Sequence, residues 1–118
     1  MHRTTLVILA LVLSLAAASA ADRKPTRFWN LTANTIVSLQ LSPAGLQAWG
    51  RDQCENDRDH EVDHDERLRI TGIAPGRYDV RFKDKTGRVC VVKDIEVKDG
   101  AILSIEEKEL SGCSGPKP

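Results

Sequence analysis

Between positions 28 and 105 the apolar residues recur at every second position in short runs separated by turn chemistry, a period that buries one face of a strand and suits no helix. Tyr78, Val80 and Phe82 alternate with Asp79, Arg81 and Lys83, giving a core face and a wet face. Val37, Leu39 and Leu41 alternate with Ser38 and Gln40, and Leu68 and Ile70 with Arg67 and Arg69. The breaks carry residues with physical reasons to turn. Pro75-Gly76 suits the centre of a type II turn between a strand ending near Ile73 and one starting at Arg77. Asp84-Lys85-Thr86-Gly87 suits a tight hairpin with Gly87 left-handed, and Asp99-Gly100 the next hairpin, into residues 102–107. Three consecutive antiparallel strands are therefore expected. Further strands are expected at 28–31 and 35–41 around a Thr32-Ala33-Asn34 turn, the second stopped by Ser42-Pro43-Ala44-Gly45. Residues 46–66 have neither period, and a helical turn near 46–49 is expected within them. The fold class is all-β: a small antiparallel sandwich of six or seven strands, with a Greek-key barrel as second choice.

Ahead of these strands, residues 1–20 have the layout of a secretory signal. Arg3 precedes an apolar run from Leu6 to Leu15 broken only by Ser14. That run is well short of the roughly 20 residues a spanning helix needs. Ala18-Ser19-Ala20 then provides a peptidase site. The expected organisation is a signal at 1–20, one domain at 21–112 and a polar tail at 113–118, the product being periplasmic or secreted, monomeric and free of the membrane after cleavage. Of 17 Lys and Arg, Arg3 leaves with the signal, so 16 remain against 17 Asp and Glu. Those charges are interspersed, which gives no basic face for nucleic acid.

Cys54, Cys90 and Cys113 all fall in the exported part, where one disulfide is the default. Cys90 sits in the apolar run Val89-Cys90-Val91-Val92, whereas Cys54 and Cys113 have polar, turn-like surroundings, which favours Cys54 with Cys113. The two pairings that use Cys90 stay open, because spacing does not determine connectivity.

The most distinctive stretch, residues 55–66, holds seven acids and two histidines in twelve positions. Asp57, Asp59, Glu61 and Asp63 alternate as calcium-loop ligands do, but the sixth position is Val62 rather than glycine and the twelfth is Leu68 rather than glutamate. His60 and His64, four apart, suggest zinc, although the aspartates around them disfavour a helix and no third firm ligand is evident. The plainer reading is a solvated acidic loop held open by its own repulsion. No cofactor is then expected, apart from weakly bound calcium or zinc. Trp49 follows the Ser42-Pro43 turn and reads either as a stacking platform for a ligand such as a sugar or as a plug at the open end of the sandwich. Trp29, in a strand beside Phe28, reads as packing. Asn30-Leu31-Thr32 fits the glycosylation acceptor pattern or, more simply, a strand entering an Asx turn. No nucleophile elbow, zinc-protease or phosphate-loop signature is present, and an enzyme is not expected.

Residues 63–82 resemble the strand, Pro-Gly turn, Tyr-x-Val strand unit of transthyretin-like and carboxypeptidase-regulatory-like sandwiches. That resemblance implies a fold and an accessory or binding role, not an activity. The tight hairpin at 83–87 departs from it, since such domains often have a glycine-aromatic step there. A wider set of residues is similar to a group of small exported proteobacterial proteins of unknown function: Phe28-Trp29-Asn30-Leu31-Thr32, Thr35-Ile36, Ser42-Pro43-Ala44-Gly45, Trp49-Gly50 and Gln53-Cys54. It implies a periplasmic home and no catalytic residues. The functional expectation is a non-catalytic binding module for a protein or small molecule, with residues 46–66 as the contact surface and Trp49, His60 and His64 as its ligand-binding residues. A divalent-metal protein using Asp57, Asp59, Glu61 and Asp63 is the alternative, and a small enzyme of unrecognised class is the third.

Overall fold

The computed structural model describes residues 24–116, so the signal expected at 1–20 lies outside the described residues. Among the described residues seven strands form: β1 (Arg27–Leu31), β2 (Ile36–Pro43), β3 (Arg67–Arg69), β4 (Gly76–Asp84), β5 (Val89–Val97), β6 (Ile102–Glu106) and β7 (Cys113–Ser114). They make two sheets, β3-β1-β6 and β2-β4-β5-β7. Phe28, Leu68, Leu103 and Ile105 from the first pack against Leu39, Leu41, Val80, Phe82, Cys90 and Val97 from the second, so the core lies between two facing layers.

Only the β4–β5 connection stays within one sheet. Two expected hairpins are therefore crossovers. Pro75-Gly76 leads from β3 in one sheet to β4 in the other. The Asp99-Gly100 turn, with Gly100 at φ 72°, carries the chain from β5 to β6, which pairs in parallel with β1. Nothing local could reveal that pairing: Phe28 faces Leu103, and the partner strand is the most distant one available to it in the three-stranded sheet. The Asp84 hairpin is as expected, with Gly87 at φ 88°.

Two irregularities alter which residues face inward. Ile36 pairs with Asp84 and Ser38 with Lys83, which leaves Val37 as an extra bulge residue and turns Ile36, not Val37, into the core with Leu39 and Leu41. Between Tyr78↔Ile95 and Val80↔Val92, β5 carries one residue more than β4. Asp94 takes φ 59° there and its N–H donates to Asp79 Oδ1 at 3.0 Å. Asp79, expected in water, is only 6 % exposed because Gly45 N–H also donates to its Oδ2 at 2.9 Å.

The disulfide joins Cys90 to Cys113, correcting the expected Cys54–Cys113 pair. These two residues stand opposite each other in the β5/β7 register. Cys54 lies by β2, at the opposite edge of that sheet, three strand spacings or roughly 14 Å from β7, beyond the reach of a disulfide. Cys113 and Ser114 therefore belong to the last strand rather than to a free tail. Gly112 is required beside it, since a Cβ there would lie 2.6 Å from the Val91 carbonyl oxygen.

Residues 46–66 form a hydrogen-bonded strap along the free edge of β2. Gly50 N–H donates to Leu41 O and Val62 exchanges both backbone bonds with Ile36. The Asp52 side chain accepts from Leu39 N–H and Cys54 N–H, starting a 3-10 turn at Gln53–Asn56 in place of a helical turn at 46–49. Cys54 and Val62 thereby enter the core, so Cys54's polar sequence neighbours misled. Burial, then the charge of Asp52, pushes its thiol up to about 12. Asn30, wholly buried, closes the β1 end: its Oδ1 accepts from Thr32 N–H, the expected Asx turn, and its Nδ2 donates to Asn34 O and Val62 O. The folded acceptor pattern is thus closed to glycosylation.

Where β4 turns into β5, a charged clamp joins the two layers. Arg88, its side chain 8 % exposed, donates from Nε to Asp84 Oδ2 at 2.9 Å and from Nη1 to Glu107 Oε1 at 2.8 Å, just beyond β6. Burial works against the charge of Asp84, but hydrogen bonds from Thr86 and Arg88 outweigh it and hold its carboxyl below the usual range. The Arg88 hydrogen bond likewise holds Glu107 low. Because both folded values are depressed, the stability they contribute is complete above about pH 5 and is lost as pH falls through the unfolded and then the folded values. Arg88→Met should strand the Asp84 charge and lower the unfolding free energy by about 3 to 5 kcal/mol at pH 7. Urea melts at pH 7 and pH 5 would measure this, and the variant, unlike the parent, should gain stability at the lower pH as Asp84 takes up a proton.

Candidate functional site

A wide opening lies on the outer face of the four-stranded sheet, where β2, β4 and β5 present Gln40, Arg81 and Val91 side by side. It is a cleft of about 710 Å³ bounded on one side by the segment 44–49 and on the other by Lys93 and Asp94 at the β5 bulge. The size suits a small molecule.

Its wall is fixed at both ends. Ala44 N–H donates to Arg77 O and Leu46 N–H to Pro43 O, while Ala48 N–H donates to Ser42 Oγ and Gly50 N–H to Leu41 O. These bonds fold the segment back so that Trp49 lies over β4. The Arg81 guanidinium sits 4.4 Å from the centre of the Trp49 ring, and its Nη2 donates to Gln40 Oε1 at 2.8 Å. Cation and ring thus hold each other on the sheet surface. Gln47, in the wall, has φ 49°, a left-handed conformation uncommon outside glycine, as Asp94 does across the cleft. Asp94 is held by Arg77, whose Nε donates to Oδ1 at 2.6 Å and keeps that carboxyl below its ordinary range.

Trp49 therefore stands on an outer face rather than at the open end of the sandwich, and it is half-buried. Trp29, expected as packing, is also on an outer face, that of the three-stranded sheet, because Phe28 beside it takes the core position. Its Nε1–H donates to Asp65 at 2.9 Å, and Arg67 lies 4.3 Å from its ring centre.

Trp49, His60 and His64 do not come together. The strap passes Leu41 just after Trp49 and reaches Ile36 only at Val62, so the histidines lie near the other end of β2, roughly 15 Å along the strand. His64 Nδ1–H donates to Thr32 O at 2.7 Å, and His60 is exposed with φ 57°. The acids of 55–66 are engaged locally instead of repelling one another into an open loop. Asp57 accepts from Asp59 N–H, Asp63 from Thr35 Oγ at 2.9 Å, and Glu61 pairs with Lys85 at 3.1 Å. Asp59 is exposed. Among the described residues no three His, Cys, Asp or Glu side chains converge as metal ligands.

Sequence reading missed Arg81, Lys93, Asp79 and Gln47. Outward alternation did put Arg81 on the wet face of β4, but its meeting with Trp49 depends on the β2/β4 register and on the fold-back of 44–49. Comparisons with known protein families, with curated proteins and with solved structures found no match. With its acids already bonded to backbone and lysine, the strap should respond little to cations. Thermal melts with millimolar calcium, with zinc and with a chelator should have midpoints within about 1 °C of one another, whereas a bound ion at a hundredfold excess over its Kd would add about 2.7 kcal/mol.

Proposed function

We propose that this protein is an exported, non-catalytic binding domain whose ligand site is the cleft between the segment 44–49 and the outer face of the four-stranded sheet. The observation that carries this reading is the Trp49–Arg81 stack, an aromatic ring and a planar cation held against each other in the wall of a small-molecule-sized opening. A rigid sheet with a pre-arranged loop above it is how a binding surface avoids an ordering cost when it meets its ligand. Leu46 supports the same reading: it is 67 % exposed, an apolar side chain beside the cleft with no core to fill.

Export is supported by the signal layout of residues 1–20 and is compatible with the Cys90–Cys113 disulfide; no helix among the described residues is long and apolar enough to cross a membrane. The resemblance of 63–82 to transthyretin-like and carboxypeptidase-regulatory-like units, which are mostly accessory or binding modules, points in the same direction.

A ligand-observed NMR screen of small molecules tests the assignment. Hits against the parent protein should lose about tenfold or more in affinity with Trp49→Ala, at a melting midpoint within a few degrees, and should keep their affinity with the His60→Ala, His64→Ala double variant. Hits that survive Trp49→Ala and fail with the histidine variant would move the site to the strap.

A further inference from the structure

The same cleft carries information about the charge of its occupant, and the inference rests on the reading just given. Four charged residues line it: Arg81, Lys93, Asp79 and Asp94. The two carboxylates are already engaged. Each oxygen of Asp79 accepts a backbone N–H, from Asp94 at 3.0 Å and from Gly45 at 2.9 Å. Asp94 faces Arg77, which takes Oδ1 through Nε and the Asp94 carbonyl through Nη2 at 2.9 Å. The cations are not engaged in this way. Among the described residues no carboxylate lies within 4.0 Å of Arg81 or Lys93, nor of Lys83, the next outward residue of β4. Among the described residues the Arg81 guanidinium has one hydrogen bond, to the neutral Gln40 amide, and most of its five donors meet no acceptor there.

We infer that the cleft takes a small anionic ligand, a carboxylate or phosphate carried on a compact ring, with its oxyanion on Arg81 and Lys93 and its ring against Trp49 and Val91. An arginine held against an indole and bonded to the Gln40 amide presents its remaining fork of N–H groups, the donor set that recognises oxyanions through paired hydrogen bonds. Trp49, Val91 and Ala44 supply the apolar wall that a bare inorganic anion would not need. Lys93, at the bulge where β5 gains its extra residue, brings a second positive charge into the lining, and Lys83 extends the positive surface along the outward face of β4.

The test uses the exported domain with its disulfide intact and three pairs of probes: benzoate and benzyl alcohol, glucuronate and glucose, phenyl phosphate and phenol. The readout is chemical-shift titration of the Trp49 indole N–H and the Arg81 Nε–H at low and high salt. At least one anion should bind and shift both signals, weaken as salt rises, and outbind its neutral partner about tenfold or more. The carboxylate and phosphate arms decide between the two oxyanions. Lys93→Met, at an exposed position where the fold should be undisturbed, should weaken that anion, and Arg81→Met should weaken it further. Equal binding of charged and neutral partners would overturn the anionic assignment while leaving the cleft as the site. Anion binding that Lys93→Met and Arg81→Met leave intact would overturn it too. If no probe shifts the Trp49 signal, both the inference and the site beneath it fail.

Discussion

Arg88 is the residue through which the two layers of this sandwich are joined by charge. Its guanidinium is almost wholly buried, with Asp84 of the four-stranded sheet on one side and Glu107, which follows the three-stranded sheet, on the other. A buried cation is tolerable only with its partners in place, and the reverse is equally true of Asp84, whose side chain has no exposure at all. The clamp therefore fixes the angle at which the β4–β5 hairpin meets the end of β6. Apolar packing alone, being non-directional, would leave that angle less sharply defined. Glu107 also lies 3.5 Å from Ala33 N–H, which ties the β1–β2 turn to the same end of the molecule.

That end is closed by charges and the edge of β2 by the strap. The three-stranded sheet carries Trp29 outward, but its indole N–H and the neighbouring Arg67 are tied up with Asp65 and the ring itself. The four-stranded sheet is different. There the fold-back of 44–49 sets a second tryptophan against Arg81 over the strands, with an open cleft beside the pair. Asp79 is central to both aspects: its buried carboxylate organises the turn at Gly45 and the bulge at Asp94, the two margins of the cleft. Structure and candidate site thus share one group, in a β4 position that simple alternation assigns to solvent.

Much of the fold was legible in the sequence because its cause is local. Val80 and Phe82 are buried on the face that their period demanded, the Asp84–Gly87 hairpin turns on the glycine that can adopt a positive φ, and Asn30 makes the Asx turn. What was not legible depends on register between distant segments. The parallel pairing of β1 with β6 leaves no local trace, and the disulfide follows from Cys90 facing Cys113 across β5 and β7 rather than from polarity around either cysteine. The acidic run 55–66 drew attention as a metal loop because composition is visible and hydrogen-bond partners are not. Its carboxylates cap backbone N–H groups and meet Thr35 and Lys85. Trp49 stands out in the sequence as an off-strand aromatic residue, while Arg81 looks like any outward-facing charge until the register brings the two together.

Core and clamp together make the two sheets one cooperative unit, on which the cleft is a rigid fixture. Native-state amide hydrogen exchange tests this most directly. Amides of Phe28 and Ile105 in the three-stranded sheet and of Val80 and Phe82 in the four-stranded sheet should open at one common free energy, equal to that of global unfolding. Exchange of the Phe28 and Ile105 group at a free energy several kcal/mol below the Val80 and Phe82 group would contradict the account, because it would mean that one layer melts while the other stands.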